Sequence, residues 1–183
     1  AHLVNDILDM EKIEAGKMDY RLERLEMNEL VTDIVERHTS YADQYRVCFV
    51  VNSSPEPLYC MVDPSRFNQA LVNLLSNAAK FSPPGTDVVF TLEATEDGMV
   101  TIKVTDKGPG LPREFRDKIF GKFAQADSSS TRARGGSGLG LNIARSIIVA
   151  FGGDITFTTR MGQGTTFCIA LPLAEDIVLK RSA

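Results

Sequence analysis

Along this chain, stretches in which apolar residues recur every three or four positions give way to stretches in which they recur every second. Leu3, Ile7 and Met10 form one stripe with Val4 and Leu8 beside it, which predicts a helix over residues 3–15, and Gly16 stands where a helix-terminating glycine is common. Such a stripe suits a helix bundle or coiled coil; it suits equally a helix folded back onto a neighbouring domain. A second helix is predicted over Met27–Tyr45, with Leu30, Ile34 and Val35 on its apolar side, followed by strand-like runs at Val47–Asn52 and Leu58–Val62. A third opens at Asp63-Pro64, a side-chain cap followed by a first-turn proline, and runs to Phe81 before Pro83-Pro84-Gly85 stops it. Strands at Val88–Ala94 and Met99–Thr105 flank the hairpin signal Glu96-Asp97-Gly98. A short helix near Pro112–Phe120, a helix over Leu139–Phe151, and strands at Asp154–Thr159 and Thr165–Leu171, joined by a turn at Met161–Gly164, complete the pattern. The order predicts an α+β fold: a two-layer α/β sandwich with a mixed sheet of about five strands, about three helices on one face, and an N-terminal helix fragment.

Composition narrows the function classes only a little. With 183 residues, 43% hydrophobic and 24% charged, the chain has room for one domain plus a short appendage. A formal charge of −4 argues against nucleic acid as the main partner, because phosphate-backbone binding needs a basic face. Cys48, Cys60 and Cys168 lack metal-ligand spacing and sit in strand-like apolar stretches, so buried, reduced thiols and a cytoplasmic setting are expected. No apolar run approaches the roughly 20 residues that cross a bilayer, so no membrane contact is expected of this piece. The opening AHLVNDILDMEKIEAGK reads as the interior of a helix, hence as part of a longer chain whose membrane attachment stays open.

Three segments carry candidate chemistry. On the third helix Arg66, Gln69, Asn73, Asn77 and Lys80 recur along one face. An amide oxygen is a hard, neutral ligand for a nucleotide-bound Mg²⁺, and Lys80 one turn on offers a point charge to phosphates; a solvated helix face is the plainer alternative. Asp106-Lys107-Gly108-Pro109-Gly110 follows a strand directly, where an aspartate can accept from an exocyclic amine and glycines let backbone pass close to a flat ligand; it also fits an ordinary tight turn. Gly136, Gly138 and Gly140 lead into the helix that starts at Leu139, and free N–H groups at a helix start favour an anion. Their spacing matches neither the dinucleotide fingerprint nor the P-loop.

In order, NLLSNAAKF, DKGPG, IFGKFAQ, GGSGLGL and GQGTTF resemble the box set of histidine kinase catalytic domains, which have the GHKL-type ATP-binding fold. The resemblance runs from about Met27 to Leu173. LVNDILDMEKIEAGK is similar to the end of the second helix of the dimerisation and phosphotransfer domain that precedes such domains, and the style of FAQADSSSTR is closest to bacterial hybrid sensor kinases. The implied layout is a truncated dimerisation helix over 1–16, a linker over 17–26, the ATP-binding domain over 27–174 and a tail over 175–183.

The resemblance also implies roles. Asn77 would be the Mg²⁺ ligand, Asn73 its companion at the phosphates and Lys80 a phosphate contact. Asp106 would accept the adenine amine, Gly108 and Gly110 would shape the pocket floor, and Thr165 would steady base and aspartate through water. Gly136, Gly138, Leu139 and Gly140 would wrap the phosphates. Lys122, between Phe120 and Phe123, is a candidate γ-phosphate contact, while the two phenylalanines serve equally well as structural anchors. Many sensor kinases have arginine where Gln125 stands, which leaves Arg132 and Arg134 as further candidates.

Neither His2 nor His38 lies in a phosphoacceptor-like motif, so both are expected to be ordinary surface histidines and the acceptor histidine to lie elsewhere. ATP and Mg²⁺ are the implied cofactors; the implied partners are a dimerisation/histidine phosphotransfer domain and a response regulator receiver domain. Topoisomerase, mismatch-repair and chaperone ATPases of the same fold carry a water-activating glutamate four residues before the metal-binding asparagine. Asn73 occupies that position here, which favours phosphotransfer over hydrolysis. A nucleotide-sensing module without catalysis and a serine kinase of the mitochondrial dehydrogenase-kinase type are the remaining alternatives; intact boxes weigh against the first and DILDMEKIEAGK against the second.

Overall fold

The computed structural model of the chain describes residues 2–124 and 138–174. Its helices are α1 (His2–Glu14), α2 (Met27–Arg37), α3 (Thr39–Tyr45), α4 (Pro64–Phe81), α5 (Arg113–Arg116) and α6 (Gly140–Ala150); its strands are β1 (Glu23–Glu26), β2 (Cys48–Asn52), β3 (Tyr59–Val62), β4 (Asp87–Ala94), β5 (Met99–Asp106), β6 (Asp154–Arg160) and β7 (Gly164–Pro172).

A five-stranded sheet in the order β2-β4-β5-β7-β6 forms one layer. Only β2–β4 is parallel; the other pairs are antiparallel. Strict alternation decides its two faces. Val88, Phe90 and Leu92 of β4, Val100, Ile102 and Val104 of β5, and Phe167, Ile169 and Leu171 of β7 point inward and are buried. The alternate positions, Thr91, Thr101, Lys103, Thr105 and Thr166 among them, face the other way, as expected of an antiparallel sheet with one solvated side. Helices α4 and α6 cover the inner face, α4 burying Phe67, Leu71, Leu74 and Leu75 and α6 burying Ile143, Ile147 and Ile148. The predicted two-layer α+β sandwich is therefore what forms.

Helix α4 starts where the Asp63-Pro64 pair predicts. Asp63 Oδ1 accepts the backbone N–H groups of Ser65 and Arg66 at 3.0 Å each, and Oδ2 accepts that of Arg21 at 2.9 Å. One side chain thus satisfies two of the helix's orphan donors and ties down the segment ahead of β1. Burial works against its charge, but the N–H groups of Arg21, Arg66 and Ser65 and the Arg66 guanidinium outweigh it and hold the carboxyl below its ordinary range.

Five expectations need correction. The helix over Met27–Tyr45 is two helices. The His38 imidazole Nδ1 lies 2.7 Å from the Ile34 carbonyl, the acceptor the His38 amide would use in a continuous α-helix, and that amide turns to Val35 at 3.1 Å. For the same reason His38 is half-buried rather than a plain surface residue. The stretch read as linker contains β1, which pairs antiparallel with β3 in a separate two-stranded sheet. The predicted run over Leu58–Val62 belongs to that sheet and not to the main one. Of the cysteines only Cys60 is buried; Cys48, at the start of an edge strand, is exposed and Cys168, on the solvated face, is intermediate.

Helix α1 rests on the domain. Met10 is buried, Asp9 pairs with Arg66 at 3.3 Å and accepts from Gln69 at 2.7 Å, and Glu14 pairs with Lys122. Val4, Ile7 and Leu8 of the same helix remain exposed. Of the two alternatives for its stripe, packing back onto the neighbouring domain is the one the described residues show, through Met10 and Asp9. No described helix is long and apolar enough to cross a membrane.

Asp63→Ala is expected to lower the unfolding free energy by about 1–2 kcal/mol, the usual cost of an N-cap, in denaturant titrations near neutral pH. Because the folded carboxyl titrates below its unfolded value, its contribution is complete above about pH 4 and disappears as pH falls through the depressed value. The gap between wild type and variant should narrow over that acidic window.

Candidate functional site

The last residue of β5 stands at the end of the sheet under the helix layer. Asp106 is 6% exposed, and strand pairing places it opposite Thr165 of β7, which in turn lies opposite Thr159 of β6. A buried carboxylate needs donors. Oδ1 takes two backbone ones, from Gly108 at 2.8 Å and Thr165 at 3.3 Å, so the oxygen left to a ligand is Oδ2. Burial pushes the Asp106 carboxyl above its ordinary range, and the Gly108 and Thr165 N–H groups only partly offset this.

Glycine is required around this group by space as well as by φ. A Cβ on Gly108 would lie 2.8 Å from Asp106 Oδ1, and one on Gly110 (φ +77°) 2.5 Å from the Arg160 carbonyl oxygen. Gly164 is more constrained still: at φ +96° its Cβ would sit 2.0 Å from the Asp106 carbonyl oxygen. Gly164 and Thr159 were not singled out from sequence. Thr159 Oγ1 accepts the Leu111 N–H at 2.9 Å and contacts the Gly164 carbonyl at 3.1 Å and Thr165 Oγ1 at 3.0 Å. It fastens the exit of the glycine loop to both neighbouring strands. No motif marks it, and only the strand register brings it to the site. A shallow hollow of about 250 Å³ at these strand ends is bounded by Asp106, Thr159, Gln163 and Thr165 and reaches round to Thr105 and Thr166 on the solvated face.

The polar face of α4 divides in two. Arg66 and Gln69 are taken up by Asp9 of α1. One turn further on, Asn73 Nδ2 donates to the Gly140 carbonyl at 3.0 Å, joining α4 to the first turn of α6. A Cβ on Gly140 would come within 3.2 Å of the Asn73 amide oxygen. Asn77 is half-buried, and its side chain makes no hydrogen bond to another described residue. Lys80 lies at the helix end with its ammonium 5.1 Å from the Phe81 ring centre.

Leu139 is fully buried, so only its backbone can meet a ligand. Gly138, at φ +71°, packs against backbone: a Cβ would fall 2.8 Å from the Phe123 carbonyl carbon. Gly136 lies outside the described residues, as do Gln125, Arg132 and Arg134. The phenylalanine pair separates into two roles. Phe120 packs tilted against Phe157 and edge-on against Phe167, ring centres 6.0 and 6.4 Å apart, lies under the Arg145 guanidinium, and offers its carbonyl to Asn142 at 2.6 Å. Phe123 is 65% exposed and sits at φ +56°; Phe120 is the anchor and Phe123 is not. Lys122 is held by Glu14 of α1 rather than pointing alone into the cleft. The structure thus gathers Asp106, Gly108, Gly110 and Thr165 at the strand ends, and joins Asn73 to Gly140 across the helix layer.

Comparison with known proteins agrees with this architecture. Residues 62–175 match the family described as Histidine kinase-, DNA gyrase B-, and HSP90-like ATPase. The chain is 35% identical over 175 residues to the sensor histidine kinase WalK of Bacillus subtilis, covering 95% of this chain and 28% of WalK. It is 35% identical over 179 residues to the autoinducer 2 sensor kinase/phosphatase LuxQ of Vibrio vulnificus, covering 94% and 21%. Among solved structures, full-length ShkA in complex with AMPPNP superposes with a TM-score of 0.82 at 30% identity, over 94% of this chain and 35% of that one. The chain belongs to the Histidine kinase-, DNA gyrase B-, and HSP90-like ATPase family, and within it to the ATP-binding catalytic domains of two-component sensor histidine kinases. It spans under a third of the length of WalK and LuxQ.

Because the fold raises the Asp106 pKa, its charged form is held less well than in the unfolded chain. That effect on stability is absent below about pH 4 and grows as pH rises through the raised value. Asp106→Asn is therefore expected to equal or exceed wild type in unfolding free energy at pH 7, and to lose that margin at acidic pH, in paired denaturant titrations. A large loss of stability at pH 7 would contradict the burial argument.

Proposed function

We propose that this chain binds Mg-ATP against Asp106, between the end of the sheet and helices α4 and α6, and transfers the γ-phosphoryl group to a histidine on a dimerisation domain, for relay to a response regulator aspartate. The observation that carries the reading is the Asp106 carboxylate: buried, fixed by two backbone donors through one oxygen, and left with a second oxygen for an exocyclic amine. The AMPPNP complex of ShkA supports a nucleotide there, and the kinase names of WalK and LuxQ support phosphoryl transfer.

Roles follow from position. Asp106 accepts the adenine amine, Gly108 and Gly110 admit the ring, and Thr165 steadies both. The backbone at Gly138, Leu139 and Gly140, with Gly136, receives phosphate oxygens at the start of α6, and Lys80 and Lys122 supply positive charge. Asn77 suits a magnesium ion, since its half-buried amide has no hydrogen bond to other described residues and a nucleotide-bound Mg²⁺ needs only one or two protein oxygens. Bound there, the ion would neutralise developing charge on the β- and γ-phosphates. Asn73, tied to Gly140, cannot activate water as a carboxylate would, so the γ-phosphoryl group waits for an imidazole nitrogen. In the transfer the bond from γ-phosphorus to the bridging oxygen breaks as the phosphorus–nitrogen bond forms.

Residues 1–16 are then the end of a dimerisation helix, 17–26 a linker whose last four residues are the strand β1 that pairs with β3, 27–174 the catalytic domain and 175–183 a tail, in a cytoplasmic part of the parent protein. The resemblance to hybrid kinases extends the proposal to a receiver domain as downstream partner.

Titration with a fluorescent ATP analogue should show Mg²⁺-dependent binding that Asn77→Ala weakens by roughly tenfold or more, the scale of one lost charge-stabilising contact. Asp106→Asn should abolish the preference for adenine. Wild type supplied with a separate dimerisation domain and labelled ATP should label its histidine, and ATP binding without such labelling would end the kinase assignment.

A further inference from the structure

Asp106, Thr165 and Thr159 occupy one register row across three adjacent strands, all on the helix-facing side of the sheet. Thr165 is 6% exposed, so the direction of its single proton is set by its neighbours and not by solvent. A hydroxyl has one proton to give and two lone pairs to receive with. Thr159 Oγ1 has three polar neighbours: the Leu111 N–H at 2.9 Å, the Gly164 carbonyl at 3.1 Å and Thr165 Oγ1 at 3.0 Å. The Leu111 amide can only donate and the Gly164 carbonyl can only accept, whereas the contact between hydroxyls runs either way. One assignment makes all three contacts hydrogen bonds: Thr159 accepts from Leu111, donates to Gly164, and accepts from Thr165. The proton of Thr165 is then spent on Thr159, and Thr165 Oγ1 has only lone pairs left.

We propose that Thr159 is a specificity-determining positioning residue that, by taking the Thr165 proton, leaves the base end of the cleft lined by acceptors alone and so selects a 6-aminopurine over a 6-oxopurine. Asp106 Oδ2 and Thr165 Oγ1 suit an amine, directly or through a water that donates to them. A guanine O6 placed there is a third acceptor facing two others, and a buried acceptor without a donor is costly. Thr159 touches no base itself; it acts through Thr165. The inference rests on the ATP site proposed above and adds the source of its base preference.

The test compares ATP and GTP binding, with Mg²⁺, to wild type, Thr159→Val, Thr159→Ser and Thr165→Val. Wild type is expected to favour ATP by tenfold or more. Thr159→Val keeps the side-chain shape but frees the Thr165 hydroxyl to donate, and the ATP-over-GTP ratio should fall by about tenfold, roughly the worth of one hydrogen bond reversed. Thr159→Ser should restore the ratio, which a purely structural role for the side chain would not require. If Thr159→Val shows no cooperative thermal transition, Thr165→Val reads the same chain from its other end and should lose the ratio likewise. A folded Thr159→Val, or a Thr165→Val, with the wild-type ratio overturns this inference and leaves the ATP site standing. A wild type that binds neither nucleotide overturns the ATP site and this inference with it.

Discussion

A carboxylate placed where a strand runs out beneath a layer of helices has lost most of its water, and the surrounding chain must answer for its charge. At Asp106 the answer is backbone. The chain turns at once so that the Gly108 amide reaches back, and β7 lies alongside so that the Thr165 amide can reach across. Both demands propagate. The turn tolerates no side chain at Gly108, the close pass of Gly164 behind Asp106 tolerates none there, and Gly110 must clear the β6–β7 turn. Of these glycines, Gly108 answers to the carboxylate itself, whereas Gly110 and Gly164 answer to main-chain carbonyls, those of Arg160 and Asp106. Burial and the two backbone donors on Oδ1 leave Oδ2 as the carboxylate oxygen without a described partner.

The helix layer is organised around a different economy of polar groups. Helix α4 is too long to spend its whole polar edge on one task, and the structure divides it: Arg66 and Gln69 hold α1, Asn73 holds the first turn of α6, and Asn77 has no hydrogen bond to other described residues. Position along one helix therefore decides which neighbouring element each polar side chain holds. The same division appears beyond β5, where the partly buried Phe120 ring is packed on two strands while Phe123, three residues on, is turned outward by a left-handed backbone.

What the pattern of residues announced, and what it left silent, follows from the range of the forces involved. Helix α4 was legible to the residue because its cap, its proline and its stop all lie next to it in sequence. The β4–β5 hairpin was legible for the same reason. The break at His38 was not, since a side chain competing for a main-chain carbonyl leaves no mark on periodicity. Strand β1 was missed because ERLE is four residues long with a single apolar one and owes its existence to β3, some thirty-five positions away. Cys48 shows the limit of apolar neighbours as a guide to burial, because the β2 edge leaves the first residue open. The ordered boxes point to Asp106, Asn77 and the glycines through a resemblance and not through the chemistry of the residues alone. Thr159 and Gly164 became visible only when register set them beside Asp106.

Strand order carries one more consequence. β7 is the last of the described strands in sequence, yet it lies between β5 and β6. Until it arrives, β6 has no hydrogen-bonded neighbour in the sheet and β5 has an open edge. Threading a final strand into the middle of a sheet joins contacts far apart in sequence, which slows folding. It also ties the setting of Asp106 to that insertion, because the Thr165 amide that donates to Asp106 Oδ1 arrives with β7. A chain still being synthesised has Gly138 and Gly140 before Asp106 has the second of its two backbone donors.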